Sequence, residues 1–388
     1  MHTSDQSLTN FTRLLHERYD TFRHAGFPER HFTPSSLLTI LRTIVDDSGG
    51  GTFMHQAGTS FEGRPIMLVT AGTGPVHVLL WTQMHGDEPT ATAAVADILT
   101  CCSNWKTDGG IRKILESLTL HFLPMLNPDG SERIQRRTAQ IIDMNRDALE
   151  LVTPEARLLR QLQHQLQPLY GFNLHDQELS TVGTSTNITA IALLAPAFDA
   201  TKSDNDVRVR AKHMASTFAS AMNLFIPHNL ARYDDTFEPR AFGDNMQRWG
   251  TSTLLVESGH ALHDARKDSI RKLNVVGILT TLFAIANDEL STAGIRTYED
   301  LPLNGKRAYD VILRNMSIVH QDGRTTTTDL AVSYQVDTHA EATPKLVDVG
   351  DLHTYVGLEE IDAKGTTVPS ASLALGTTFD WRSVVARS

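Results

Sequence analysis

Within "WTQMHGDEPTATAA", Trp81 to Ala94, His85 and Glu88 stand three residues apart with one glycine between them. A zinc ion with an open coordination position takes three protein ligands from histidine and carboxylate, leaving the fourth place to water. His85 and Glu88 could supply two of these, and His175 in "NLHDQE" the third. The bare HxxE spacing is weak, because a chain with 17 histidines and 45 acidic residues contains it by chance. Position adds weight: the pair follows "VHVLLWTQ", an apolar run of the kind that forms a strand buried on both faces, and Gly86 permits a tight backbone there. Glu257 ends a second apolar run, "TSTLLVES". A carboxylate closing a buried strand is either expensively placed or employed, which marks Glu257 as a candidate functional residue. Asp87 is left as a turn residue without assigned chemistry.

Residues so far apart in sequence need a scaffold that gathers them. Helical spacing of Leu8, Phe11, Leu14 and Leu15 predicts a helix over 7–26, and Thr33 before Pro34 starts a second over 33–47. Helical and strand-like runs then alternate: helix "EPTATAAVADILTCC", strand "LTLHFL" closed by the turn "NPDG", helix "PEARLLRQLQHQLQ", strand "YGFNLHD", helix "DNDVRVRAKHMASTFASAM", strand "TSTLLVES", helix "DSIRKLNVVGILTTLFAIANDEL". Such alternation implies an α/β fold with a mainly parallel or mixed sheet covered on both faces. In such sheets ligands bind outside the carboxyl ends of the strands. His85, Asn127, His175 and Glu257 each fall at such an end. From Tyr298 onward the runs become short and β-rich. The expected organisation is an N-terminal helical segment (1–50) packed on a catalytic domain (51–297), followed by a β-rich C-terminal domain (298–388).

Composition narrows the partners. The 388 residues are 40% apolar and 21% charged, ordinary globular usage. The formal net charge of −10 disfavours nucleic acid and anionic membranes. Neither a signal peptide nor a membrane span is read from the N-terminal stretch, so the expected location is the cytoplasm. The only cysteines, Cys101 and Cys102, are adjacent and read as unpaired thiols. "AGTGP" leads into a strand, not a helix, so it is no nucleotide loop.

The ordered set "GRPI", "HGDE", "NPDG", an arginine, "DMNRD", "LHD" and "VES", from Gly63 to Ser258, resembles the zinc metallocarboxypeptidases, the carboxypeptidase A-like peptidases and their bacterial HGDE-type subgroup. The resemblance implies an α/β/α sandwich with a mixed eight-stranded sheet and one zinc ion, to which the small C-terminal unit is added. It implies that His85, Glu88 and His175 are the zinc ligands and that Glu257 is the carboxylate that activates the zinc-bound water. Arg136 corresponds to the arginine that stabilises the oxyanion, with Arg137 as the alternative. Asn145 and Arg146 correspond to the pair that grips the substrate's free carboxylate. Asp143 corresponds to the acid that bonds the far nitrogen of the first zinc histidine, and Tyr233 is nominated as the mobile tyrosine. The implied substrate is a peptide, cleaved at its C-terminal amide bond. "HGDE" is also similar to the N-acyl amino acid deacylases of the aspartoacylase and succinylglutamate desuccinylase type. A third reading is a zinc- or peptide-binding protein without turnover. Oligomeric state and side-chain preference stay open. His121, His164, His213 and His263 are read as surface or core residues, as is His260, the one nearest Glu257.

Overall fold

The computed structural model describes residues 2–290, 294–336 and 342–386. Its helices are α1 (His2–Glu17), α2 (Pro34–Asp47), α3 (Thr90–Asn104), α4 (Gly109–Ser117), α5 (Pro128–Glu132), α6 (Pro154–Leu166), α7 (Asp206–Met222), α8 (Phe242–Arg248), α9 (Asp268–Ala286), α10 (Arg296–Glu299) and α11 (Trp381–Val385). The strands are β1 (Thr52–Thr59), β2 (Pro65–Ala71), β3 (Val76–Thr82), β4 (Leu118–Leu123), β5 (Tyr170–Asp176), β6 (Thr181–Val182), β7 (Ile191–Leu194), β8 (Leu230–Arg232), β9 (Ser252–Ser258), β10 (Asn304–Gly305), β11 (Ala308–Val319), β12 (Thr325–Val336), β13 (Ala342–Gly350), β14 (Val356–Asp362) and β15 (Thr367–Pro369).

An eight-stranded mixed sheet runs in the order β1-β2-β4-β3-β5-β9-β7-β8. Its centre, β4-β3-β5-β9, is parallel, and β7 joins β9 antiparallel. Because side chains alternate across a strand, apolar residues on β3 split between two cores. Val78 and Leu80 pack with α1, α2, α3, α4, α7 and α9, whereas Leu79 and Trp81 pack with α6 and α8. β2 divides likewise, Val69 and Ala71 to the first core and Ile66 and Leu68 to the second. The result is the expected α/β/α sandwich. α9 is apolar and long enough to cross a membrane by composition, yet 78% of its apolar window is buried, consistent with a core helix.

Local differences from the sequence reading have physical causes. α1 stops at Glu17, where a 3-10 turn brings Tyr19 inward to donate 2.6 Å to the buried carboxylate of Asp97. Arg271 also bonds Asp97, so this corner is fixed by polar contacts that helical periodicity does not register. "NPDG" is a short helix, α5, capped by the Asn127 side chain through the Gly130 amide. α4, α8, β7 and β8 were not resolved from the sequence pattern. Tyr298 belongs to the first core, and its hydroxyl accepts from the Ala195 amide. Strands β11 to β15 form a separate five-stranded sheet with its own apolar cluster around Leu313, Met316, Leu330 and Trp381.

Candidate metal and hydrolytic centre

β3 ends at Thr82, and the chain turns sharply before α3. Gln83 takes a left-handed backbone (φ +50°), and its side-chain Nε2 donates to the Gly86 carbonyl and the Ser131 hydroxyl. Gly86 packs on α5 so closely that a Cβ would lie 2.0 Å from the Gly130 carbonyl carbon; only glycine fits. The turn directs His85 and Glu88 towards each other. His85 Nδ1 is 2.8 Å from Glu88 Oε1, and His175 Nδ1, from β5, is 2.8 Å from Glu88 Oε2. One potential donor atom from each of the three residues lies within 4.8 Å of the others, and all three residues are buried. Two imidazoles converging on both oxygens of one carboxylate make a nitrogen and oxygen donor set suited to zinc. His175 Nε2 is buried without a hydrogen-bond partner.

The loop after α5 supplies the next layer. Asp143 Oδ1 faces His85 Nε2 at 3.1 Å and accepts from the Asn145 amide. Accepting from Nε2 leaves Nδ1 of His85 as the nitrogen turned to the donor group. Arg136 donates to Glu88 Oε1 at 3.1 Å and to Asp143 Oδ2 at 3.2 Å, whereas Arg137 donates to the Ile141 carbonyl. Arg136 is therefore the arginine brought to the centre. Burial works against charge on His85, but the Glu88 charge and the bond to Asp143 outweigh it and raise its pKa to about 9. At His175 burial prevails and lowers the pKa despite Glu88. Burial also opposes the charge on Asp143, yet its bond to His85 holds the carboxyl well below its usual range.

Glu257 lies on β9 in register with His175 on parallel β5, so the two side chains share one sheet face. Its Oε2 is buried and unpartnered. Burial, reinforced by the Glu88 charge, pushes its pKa up to about 8. Tyr233 follows β8, anchored by its amide to the Leu193 carbonyl at 2.9 Å, with 39% of its surface exposed. Burial raises its hydroxyl pKa, and the next contribution comes from Glu257, which places the two side chains in electrostatic reach. Asn145 Oδ1 accepts from the Phe242 amide at the start of α8. Exposed Arg146 donates to the Asn145 carbonyl and lies 3.4 Å from Glu238.

The zinc carboxypeptidase family model matches residues 37–187. That span contains His85, Glu88, Arg136, Asp143, Asn145, Arg146 and His175, with Tyr233 and Glu257 beyond it. Over those residues the chain is similar to the zinc carboxypeptidases. It is similar to carboxypeptidase 2 of Trichophyton rubrum, 26% identical over 243 residues that make up 58% of this chain and 41% of that protein. It is also similar to carboxypeptidase Z of Gallus gallus, 26% identical over 149 residues, 33% of this chain and 23% of that one. The chain thus spans less than half the length of these curated relatives. Among solved structures, it is similar to a metallo-carboxypeptidase from Burkholderia cenocepacia with a TM-score of 0.51 and 17% identity, covering 66% of this chain and 70% of that one. At that identity the likeness is one of fold. Zinc is the metal of the family, and His85, Glu88 and His175 form a group able to hold it.

Residues from inside and outside the matched span complete the surroundings of the centre. Asp176, beside His175, accepts from Thr90 at 2.6 Å, and from Arg30 and Lys267 at 3.2 Å each. Lys267 is buried and also donates to the Ser258 carbonyl, tying the ends of β5 and β9 together. Burial lowers its pKa, opposed by Asp176. Sequence reading passed over Lys267 because "ARKDS" has the composition of a solvated face. His260 sits on this side: burial, then the charges of Lys267 and Arg30, bring its pKa down to about 2, so it is a neutral neighbour of the cations.

Proposed function

We propose that the protein is a zinc-dependent metallocarboxypeptidase that hydrolyses the C-terminal amide bond of a peptide. The supporting observation is a buried three-donor group, His85, Glu88 and His175, faced from the adjacent strand by a buried carboxylate with an unpartnered oxygen, Glu257. A bound zinc ion supplies polarisation of the substrate carbonyl and acidification of water. Glu257 accepts a proton from the attacking water and returns it to the departing amine, a role suited to a carboxylate whose burial raises its proton affinity. Arg136, oriented by Asp143, places a guanidinium where negative charge develops on the carbonyl oxygen. Asn145 and Arg146 bind the terminal carboxylate, for which a planar guanidinium offers two parallel donors. Tyr233, 39% exposed and within electrostatic reach of Glu257, contributes to substrate binding.

The test is a panel of peptides with free C-termini, the same peptides amidated, and N-acyl amino acids. Cleavage of the free-carboxylate peptides, with release of the C-terminal amino acid, is expected. Cleavage of N-acyl amino acids alone would assign a deacylase. Zinc binding without turnover on any substrate would leave a binding protein.

A further inference from the structure

The loop that carries Arg136 has an unusual turn. Ile141 donates its amide to the Thr138 carbonyl at 2.9 Å, and Thr138 donates to the Ile142 carbonyl at 3.0 Å, closing a tight loop over Ala139, Gln140 and Ile141. The third residue of such a loop takes a left-handed backbone, which glycine adopts without steric cost. Here it is isoleucine, at φ +65°. A β-branched residue in that region is strained by contact between its side chain and the backbone. Burial does not compensate: Ile141 is 75% exposed, the most exposed large apolar side chain among the described residues. Glycine would relieve the strain and expose less hydrocarbon, so folding alone does not account for isoleucine here.

Both arms of the turn are fixed on the centre. Arg136 on one arm bonds Glu88, and Asp143 on the other bonds His85. Asp143 is two positions beyond Ile141, at most about 7 Å of chain. Arg137 braces the turn by donating to the Ile141 carbonyl at 3.0 Å. The exposed side chain is thereby held close to the centre, on the solvent side of the loop that carries Arg136 and Asp143. On the proposed reading the last residue of the substrate is gripped by its carboxylate, and the rest of the peptide leads outward from the centre into solvent. We propose that Ile141 is a specificity-determining residue that contacts an apolar side chain of the substrate on the acyl side of the scissile bond. The inference rests on the metallocarboxypeptidase reading.

The experiment compares wild type with Ile141→Gly and Ile141→Asn, both residues that tolerate the left-handed region. It uses a long peptide carrying apolar residues upstream of the scissile bond and a short blocked dipeptide that lacks them. Both variants should melt about 1–3 °C higher as strain is relieved. Their kcat/KM should fall about 3–10-fold on the long peptide and hold on the short one. Equal kinetics on both substrates, or an equal loss on both, would overturn the assignment while leaving the hydrolase intact. Failure of wild type to cleave either substrate would overturn the enzymatic reading, and this inference with it.

Discussion

Glu257 and His175 stand side by side on adjacent strands, and burial acts on them in opposite senses, raising the carboxylic acid's pKa and lowering the imidazole's. That contrast suits a proton acceptor next to a neutral nitrogen donor. Glu257→Gln should retain zinc, because the substitution leaves His85, Glu88 and His175 untouched, and should lose hydrolysis by about 10²–10⁴-fold. Full activity in that variant would remove Glu257 from the mechanism. Arg146→Ala should raise KM roughly 10–100-fold for free-carboxylate substrates only, given what a hydrogen bond to a charged group contributes; an equal effect on amidated peptides would sink the anchoring role. The juxtaposition of His175 and Glu257 was legible because both close apolar runs and few residue types do such chemistry. Gln83 and Lys267 were not, since a left-handed glutamine and a buried lysine look in sequence like any turn or surface residue.

At the level of elements, the centre depends on where strands end. β3, β5 and β9 are parallel neighbours, so their carboxyl ends bring residues 85, 175 and 257 to one edge. The long apolar runs announced these strands and their helices. β7 and β8 were missed because they are short, with four and three residues, and lack room to show a period. The turn from β3 into α3 is the tightest constraint. Gly86→Ala would drive a methyl into the α5 backbone and should destabilise the fold by about 1–3 kcal/mol while displacing His85. Denaturant unfolding together with zinc titration tests this: unchanged stability and metal affinity would show that the close approach is unimportant.

Across the whole molecule, stability should carry a signature from Asp244 in the first turn of α8. Burial lifts its pKa from 3.8 to about 7, beyond what the bond from the Glu238 amide offsets. The folded state therefore holds this proton more tightly than the unfolded chain, and stability falls as pH rises from about 4 to 7. Asp244→Asn should be more stable than wild type at pH 8, by up to about 3 kcal/mol, with the difference shrinking to nothing near pH 4. Parallel unfolding curves across that range would show that Asp244 ionises normally. Sequence foretold the layered sheet and the β-rich character of the C-terminal region. It could not show the pairing of β10 with β6 or the place of Tyr298 in the main core, because both are contacts between distant segments. The central claim, that His85, Glu88 and His175 hold a zinc ion, is tested most directly by elemental analysis of the purified chain beside its His85→Ala variant. The account requires one zinc per chain in the wild type and its loss in the variant; undiminished zinc in His85→Ala would contradict it.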